Sequence, residues 1–119
     1  MIRLIRRRLI IPRGDTGFFA LPLTSHLHNN GVAVFGIFDP LTKTTVLEKE
    51  VPLDLNTQEI KVELKHEDTV NLEAKKYRWD IRIYVNPVRD DDDKIIDADV
   101  IDSYYSAFSL PVCEIREVA

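Results

Sequence analysis

Between Lys76 and Val85 the chain reads KYRWDIRIYV. Tyr77, Trp79, Ile81, Ile83 and Val85 occupy one parity. Lys76, Arg78, Asp80 and Arg82 occupy the other, with Tyr84 as the break. A repeat of two residues puts successive side chains on opposite faces of a strand, so this segment predicts a strand with one buried and one wet face. A helix would scatter the same apolar residues around its circumference. Burying each of them fully is worth about 1.5–3 kcal/mol, which marks the segment as a central core strand.

Weaker versions of the pattern flank it. Ile60, Val62 and Leu64 alternate with Lys61, Glu63 and Lys65. Residues 32–38 (VAVFGIF) are almost uniformly apolar. They predict a strand covered on both sides or by a terminal arm, with Gly36 marking a bulge or a close backbone approach. Asp39 to Lys43 predicts a turn, because Pro40 presets φ and the Asp39 side chain can cap the backbone. Thr44 to Val51 then completes a hairpin, and Pro52 to Thr57 is a connection. His66 to Leu72 predicts one loose helical turn capped by Asp68 or Thr69. Asn86-Pro87 ends the strong strand, Asp90 to Asp93 forms a hairpin tip, and Lys94 to Ser103 returns. Ala107 to Val118 makes a last strand, which Pro111 assigns to an edge or a bulge. At the front, Ile2 to Ile11 is strand-like but carries Arg on both parities. Arg13-Gly14-Asp15-Thr16-Gly17 breaks it, and Phe19, Leu21 and Leu23 resume the alternation. Short strands with turn signals about every 8–12 residues predict an all-β protein, an immunoglobulin-like antiparallel β-sandwich of about seven to eight strands. A single domain over residues 1–119 is expected, with a basic N-terminal strand or arm at residues 1–13.

Composition narrows the picture. The chain has 119 residues, 45% hydrophobic and 30% charged, enough to bury one core without staples and unlike a disordered or collagen-like chain. No run of about 18 apolar residues exists to span a membrane as a helix. Arg interrupts the start where a signal peptide needs an apolar stretch of about 7–15 residues. Production in the cytoplasm without a signal peptide is the expectation. The one cysteine, Cys113, has no internal disulfide partner.

The net charge of −4 is unevenly spread. Residues 1–13 hold Arg3, Arg6, Arg7, Arg8 and Arg13 and no acid, hence +5. Residues 90–102 hold seven Asp against Lys94, hence −6. An acidic total argues against nucleic acid as the main partner, since phosphate binding wants a broad positive face. The segregation suggests self-association oriented by charge. The plain alternative is a solvated basic strand and a solvated acidic loop.

Candidate chemistry is sparse. Arg13-Gly14-Asp15 spells an adhesion tripeptide but is ordinary turn chemistry. His26 and His28 would share a strand face, yet a metal needs three or four ligands and His66 is distant, so they read as surface residues beside an Asn29-Asn30-Gly31 turn. The run Asp90 to Asp93 could attract Ca²⁺ but lacks the alternating frame and closing Glu of an EF-hand. It reads as a solvated tip that discourages edge pairing. Cys113, between Val112 and Ile115, reads as a buried inert thiol. No Ser or Cys stands with a base, and no carboxylate pair sits in an apolar setting. The expectation is a non-enzymatic protein with no cofactor and no metal. Tyr77 and Trp79 share the core parity, whereas Tyr104 and Tyr105 are expected to be exposed and available to a partner.

Several segments, taken in order, carry a resemblance. They are Arg13-Gly14-Asp15-Thr16-Gly17, Val34-Phe35-Gly36-Ile37-Phe38-Asp39, Lys43 to Val51, Leu64 to Leu72 with Glu67-Asp68-Thr69, and Lys76-Tyr77-Arg78-Trp79-Asp80-Ile81. Together the chain resembles the small β-sandwich domain at the N-terminus of phage baseplate upper proteins and related prophage tail proteins. Where that family commonly has Gly before the Tyr strand, this chain has Lys75. The resemblance implies a structural component of a phage or prophage tail or baseplate, part of a virion. Its partners would be other phage structural proteins or copies of itself in a homo-oligomer, with no membrane and no nucleic acid. Arg3, Arg6, Arg7 and Arg8, Asp90, Asp91, Asp92 and Asp93, and Tyr104 and Tyr105 are the expected interaction residues. The alternative is an immunoglobulin-like surface module binding a glycan or a protein through Tyr104 and Tyr105.

Overall fold

The computed structural model describes residues 1–23, 31–54, 56–105 and 109–117, with backbone alone at 100–102. His26, His28, the Asn29-Asn30 part of the expected turn, and residues 107, 108 and 118 of the expected last strand lie outside the described residues. In chain order, β1 (Arg3–Ile5), β2 (Arg8–Pro12), β3 (Gly17–Pro22), β4 (Gly31–Asp39), β5 (Thr44–Leu53) and β6 (Glu59–Leu64) precede a one-turn helix, α1 (His66–Thr69). Then follow β7 (Lys76–Val85), β8 (Val88–Arg89), β9 (Ile95–Asp97), β10 (Val100–Ser103) and β11 (Val112–Arg116).

The protein is mostly β. One large mixed sheet runs β1-β2-β11-β7-β4-β5, and β10 also pairs with β7. Two small sheets, β3-β6 and β8-β9, complete it. The β7 strand has the alternation read from its sequence: Tyr77, Trp79, Ile81 and Ile83 are buried while Lys76, Arg78 and Arg82 are exposed. Along one edge it pairs with β4, from Gly31↔Val85 to Phe38↔Arg78. The other edge is shared: β11 takes Lys76 to Arg78 and β10 takes Arg82 to Val85.

The core lies between the large sheet and β3-β6. Phe19, Leu21, Ile60, Val62 and Leu64 from the small sheet join one cluster with Ala33, Phe35, Ile37, Tyr77, Trp79, Ile81 and Ile83. Leu9, Ile11, Cys113 and Ile115 extend it under β2 and β11. Trp79 is fully buried and stands edge-on to Phe19 at 5.8 Å and to Tyr105 at 5.1 Å between ring centroids. Its indole N–H donates to the Arg7 carbonyl at 3.0 Å. The Tyr77 hydroxyl donates to the Glu73 carbonyl at 2.8 Å. Both rings thus bury their apolar bodies while their polar ends are satisfied.

Tight turns follow from side chains that tolerate or enforce them. Asp39 Oδ1 accepts from the Leu41 N–H at 2.9 Å, and Lys43 closes the β4-β5 turn at φ 59°. Asn86 leaves β7 at φ 50°, a conformation Asn tolerates. Gly14 sits at φ 78° against α1, where a Cβ would lie 3.0 Å from His66 Nδ1. Glycine is the residue that fits both demands. The Gly14 N–H donates to the buried Thr69 hydroxyl at 2.8 Å, and His66 Nδ1 is 2.7 Å from the Gly14 carbonyl. Asp68 acts one step differently from a starting cap: its carboxylate accepts from the Lys65 N–H at 2.8 Å and from the Lys49 ammonium at 2.9 Å.

Five expectations need correction. The N-terminal stretch is two strands, because Arg6 turns the chain at φ 58° and pairs β1 back on β2. The large sheet is mixed, since β2 runs parallel to β11, with Leu9↔Cys113 and Ile11↔Ile115. Pro111 precedes β11, whose donors begin at Val112, so the strand lies inside the sheet rather than at its edge. The bulge expected at Gly36 falls between Ile37 and Phe38, whose partners skip from Leu47 to Thr45. The extra residue is therefore Val46 on β5. Among the described residues the strands number eleven rather than seven or eight, because several are only two to four residues long.

Replacing Trp79 by Ala is expected to lower stability by about 3–5 kcal/mol, whereas Tyr77→Phe should lower it by about 1 kcal/mol through one lost hydrogen bond. Urea unfolding followed by circular dichroism measures both.

Candidate functional site

The outward parity of the large sheet carries the charge. Facing away from the core are Arg78, Asp80, Arg82 and Tyr84 of β7. Opposite them lie Phe38, Gly36, Val34 and Val32 of β4. The next strand, β5, brings Glu48 opposite Gly36 and Glu50 opposite Val34. Directly opposed residues of antiparallel strands share a face, so this surface carries Arg78 and Arg82 on β7, with Asp80 between them, and Glu48 and Glu50 on β5.

The basic side deepens into a cleft of about 750 Å³ lined by Arg7, Arg8, Lys76, Arg78 and the apolar Phe38, Leu110, Pro111 and Val112. Among the described residues its lining holds no carboxylate. Two of its guanidinium groups are held by uncharged acceptors. Arg7 donates to the Ser109 carbonyl at 2.6 Å and lies 4.7 Å from the Tyr105 ring centroid. Arg78 donates to the Leu110 carbonyl at 3.0 Å. Such contacts fix a guanidinium without neutralising it. Arg8 instead pairs with Glu114, whose carboxyl is held below its usual range by Arg116 and by Arg8.

The acidic side is a structured hairpin. Arg89 grips both Glu50 oxygens at 2.6 and 3.1 Å, and also donates to the Asp93 carbonyl at 3.0 Å. The Arg89 guanidinium holds the Glu50 carboxyl below its usual range. Asp90 Oδ1 accepts from the N–H groups of Asp92 and Lys94, each at 2.9 Å. Asp93 turns the chain at φ 63°. The side chains of Asp91 and Asp92 are exposed.

The expected interaction residues therefore divide. Arg7 and Arg8 come together with Lys76 and Arg78, while Arg6 occupies the β1-β2 turn and Arg3 sits on the outermost strand opposite Ile10. The Arg-rich segment pairs with β11 of its own chain. Asp90 to Asp93 form one tip. Tyr104 and Tyr105 are half-buried rather than exposed: they pack on the core, with the Tyr105 ring against Trp79. Their backbone is pinned to β7, the Tyr104 N–H by the Ile81 carbonyl at 2.8 Å and the Tyr105 N–H by Asp80 Oδ1 at 3.2 Å. Lys76, Arg78, Glu48 and Glu50 were missed as site residues. The polar parity of KYRWDIRIYV carries the signal for the first two, since those positions share one face.

Other candidate chemistry is occupied structurally. Burial pushes the Cys113 thiol up to about 12, leaving little thiolate near neutral pH. Arg13-Gly14-Asp15 is a turn closed by the Asp15 N–H on the Pro12 carbonyl at 3.0 Å. Among the described residues no group of three or more His, Cys, Asp and Glu is placed to hold a metal ion. No described helix is long and apolar enough to cross a membrane.

Comparison with protein-family models, curated proteins and solved structures finds no match.

Two carboxylates should leave opposite signatures in the pH dependence of stability. The Lys75 ammonium, 2.8 Å from the buried Asp39, lowers that carboxyl's pKa. Its stabilisation is present above the ordinary carboxylate value and is lost as pH falls through the depressed folded value. Burial raises the pKa of Asp80, so its ionised form weighs against folding above the raised value. Asp39→Asn is therefore expected to destabilise near neutral pH, with the deficit shrinking at about pH 2. Asp80→Asn should do relatively better near neutral pH than at about pH 3. Urea midpoints across that range measure both.

Proposed function

We propose that this chain is an immunoglobulin-like sandwich that works as a non-enzymatic structural component of a phage or prophage tail or baseplate, by protein–protein assembly. Two features support the sandwich reading. The order β11-β7-β4-β5 corresponds to strands G, F, C and C′ of a variable-type domain, and β3-β6, on the core side of the large sheet, corresponds to B and E. The Tyr77 hydroxyl reaches back four residues to the Glu73 carbonyl beside the α1 corner between β6 and β7. That is the bond of a tyrosine corner at the start of strand F. Where an antibody domain would place its second cysteine, two residues on, stands Trp79, in edge contact with Phe19 of β3. Aromatic packing would then tie the layers where a disulfide otherwise does.

The observation that carries the assembly reading is that unlike charges are held in fixed, separate places on one sheet face. The basic cleft is preset by carbonyl contacts from Arg7 and Arg78, and the acidic hairpin by Arg89 and Glu50. A surface whose charges are already ordered loses less entropy on docking, and charge complementarity sets orientation and encounter rate. The resemblance of the Lys76–Ile81 and Val34–Asp39 segments to phage baseplate domains supplies the setting. The glycan-binding alternative draws less support, because Tyr105 spends its ring on Trp79 and Arg7.

The gene neighbourhood tests the setting. Genes for tail tube, tape measure or lysis proteins beside this one are expected, and a metabolic operon would overturn the phage reading. Light scattering over a salt series tests the assembly mode. Association with itself or with the product of a neighbouring tail gene should weaken at least tenfold from about 0.05 M to about 0.5 M salt, as screening predicts. Salt-independent association would remove the electrostatic mechanism.

A further inference from the structure

We infer that the outer face of the large sheet is a self-complementary surface whose occupant is the same face of a second copy. In that arrangement the acidic β8-β9 hairpin of each copy seats in the Arg7, Arg8, Lys76 and Arg78 cleft of the other. This deepens the assembly reading by naming the partner and the acceptor.

Arg89 binds Glu50, and Glu50 stands opposite Val34 on the outward parity. The hairpin is therefore anchored on the same face as the cleft, at the β5 edge. The cleft lies across β2, β11 and β7, level with Phe38. About three strand spacings of 4.8 Å and a four-residue offset along β7 separate them, roughly 20 Å. The tip cannot close on its own cleft without losing the Glu50 grip. A two-fold axis through the middle of the face carries each charged end onto its opposite, and a patch with this property forms an isologous contact.

Chemistry matches at both ends. The cleft offers the Arg7 and Arg78 guanidinium groups, fixed by neutral carbonyls, and Arg8, paired with Glu114, around an apolar floor of Phe38, Leu110 and Pro111. The hairpin offers Asp91 and Asp92 at its tip and exposed Val88 and Ile96 below. Between the two ends Val34 is half-buried and Gly36 leaves a shallow recess. A face five strands wide at about 4.8 Å per strand and about 25 Å long presents on the order of 600 Å² per copy, the lower end of a standard interface.

Sedimentation velocity on the whole chain tests this with two charge reversals, Lys76→Glu/Arg78→Glu and Asp91→Lys/Asp92→Lys. Circular dichroism and urea midpoints check that each variant folds. The wild-type chain is expected to form a dimer and nothing larger. Each reversal alone should raise the dissociation constant at least tenfold, and mixing the two should restore a heterodimer, because both contacts are then again unlike-charged. Species that grow beyond two with concentration would overturn the two-fold arrangement. So would a wild-type monomer at every concentration, or a dimer indifferent to both reversals. A dimer lost instead on Arg3→Glu/Arg6→Glu would overturn this surface while leaving salt-dependent assembly intact, and the gene neighbourhood stands apart from every outcome.

Discussion

The strand β7 is engaged on both edges and on its inward face, and the rest of the structure is arranged around that fact. Along its edges, β4 takes one side and β11 and β10 divide the other. Its inward side chains meet β3 and β6, and its outward ones set the cationic half of the exposed sheet face. A strand has only one degree of freedom that exchanges these roles, a slip of one residue, which would bury Arg78 and Arg82 and expose Trp79. The loss of buried apolar surface together with the burial of unpaired charge makes such a slip prohibitive. The same parity therefore specifies the core and the charged surface at once.

How far this was legible in the chain varies with the reason each element exists. The inward set Tyr77, Trp79, Ile81 and Ile83, the alternation at Ile60, Val62 and Leu64, and the turn at Asp39 could be read because each depends on a local period or a local cap. The two-strand nature of the N-terminal stretch could not, because Arg6 adopts a left-handed φ that no residue type there announces. Pro111 misled for a related reason: a strand that begins one residue later needs no donor from it. The bulge opposite Phe38 was displaced from Gly36 because register is settled by pairing between strands, which a single strand's pattern does not contain.

The candidate surface was half legible. The acidic tip and the Arg cluster show as runs of like charge. That Lys76 and Arg78 complete the cluster while Arg3 and Arg6 stand outside it depends on β11 bringing β2 beside β7, a long-range pairing. Tyr104 and Tyr105 were misread for want of tertiary context. Exposed tandem tyrosines suit a partner, but here Asp80 and Ile81 fix their backbone and Trp79 takes one ring. What looked like a binding platform serves as a cover over the largest core side chain.

Amide hydrogen exchange across the chain tests the central place of β7 most directly. If that strand anchors both layers, the amides of Tyr77, Trp79, Ile81 and Ile83 should exchange only through global unfolding, with one common free energy equal to that from urea. Exchange of those amides through a local opening, faster than the amides of β3 and β6, would contradict the account.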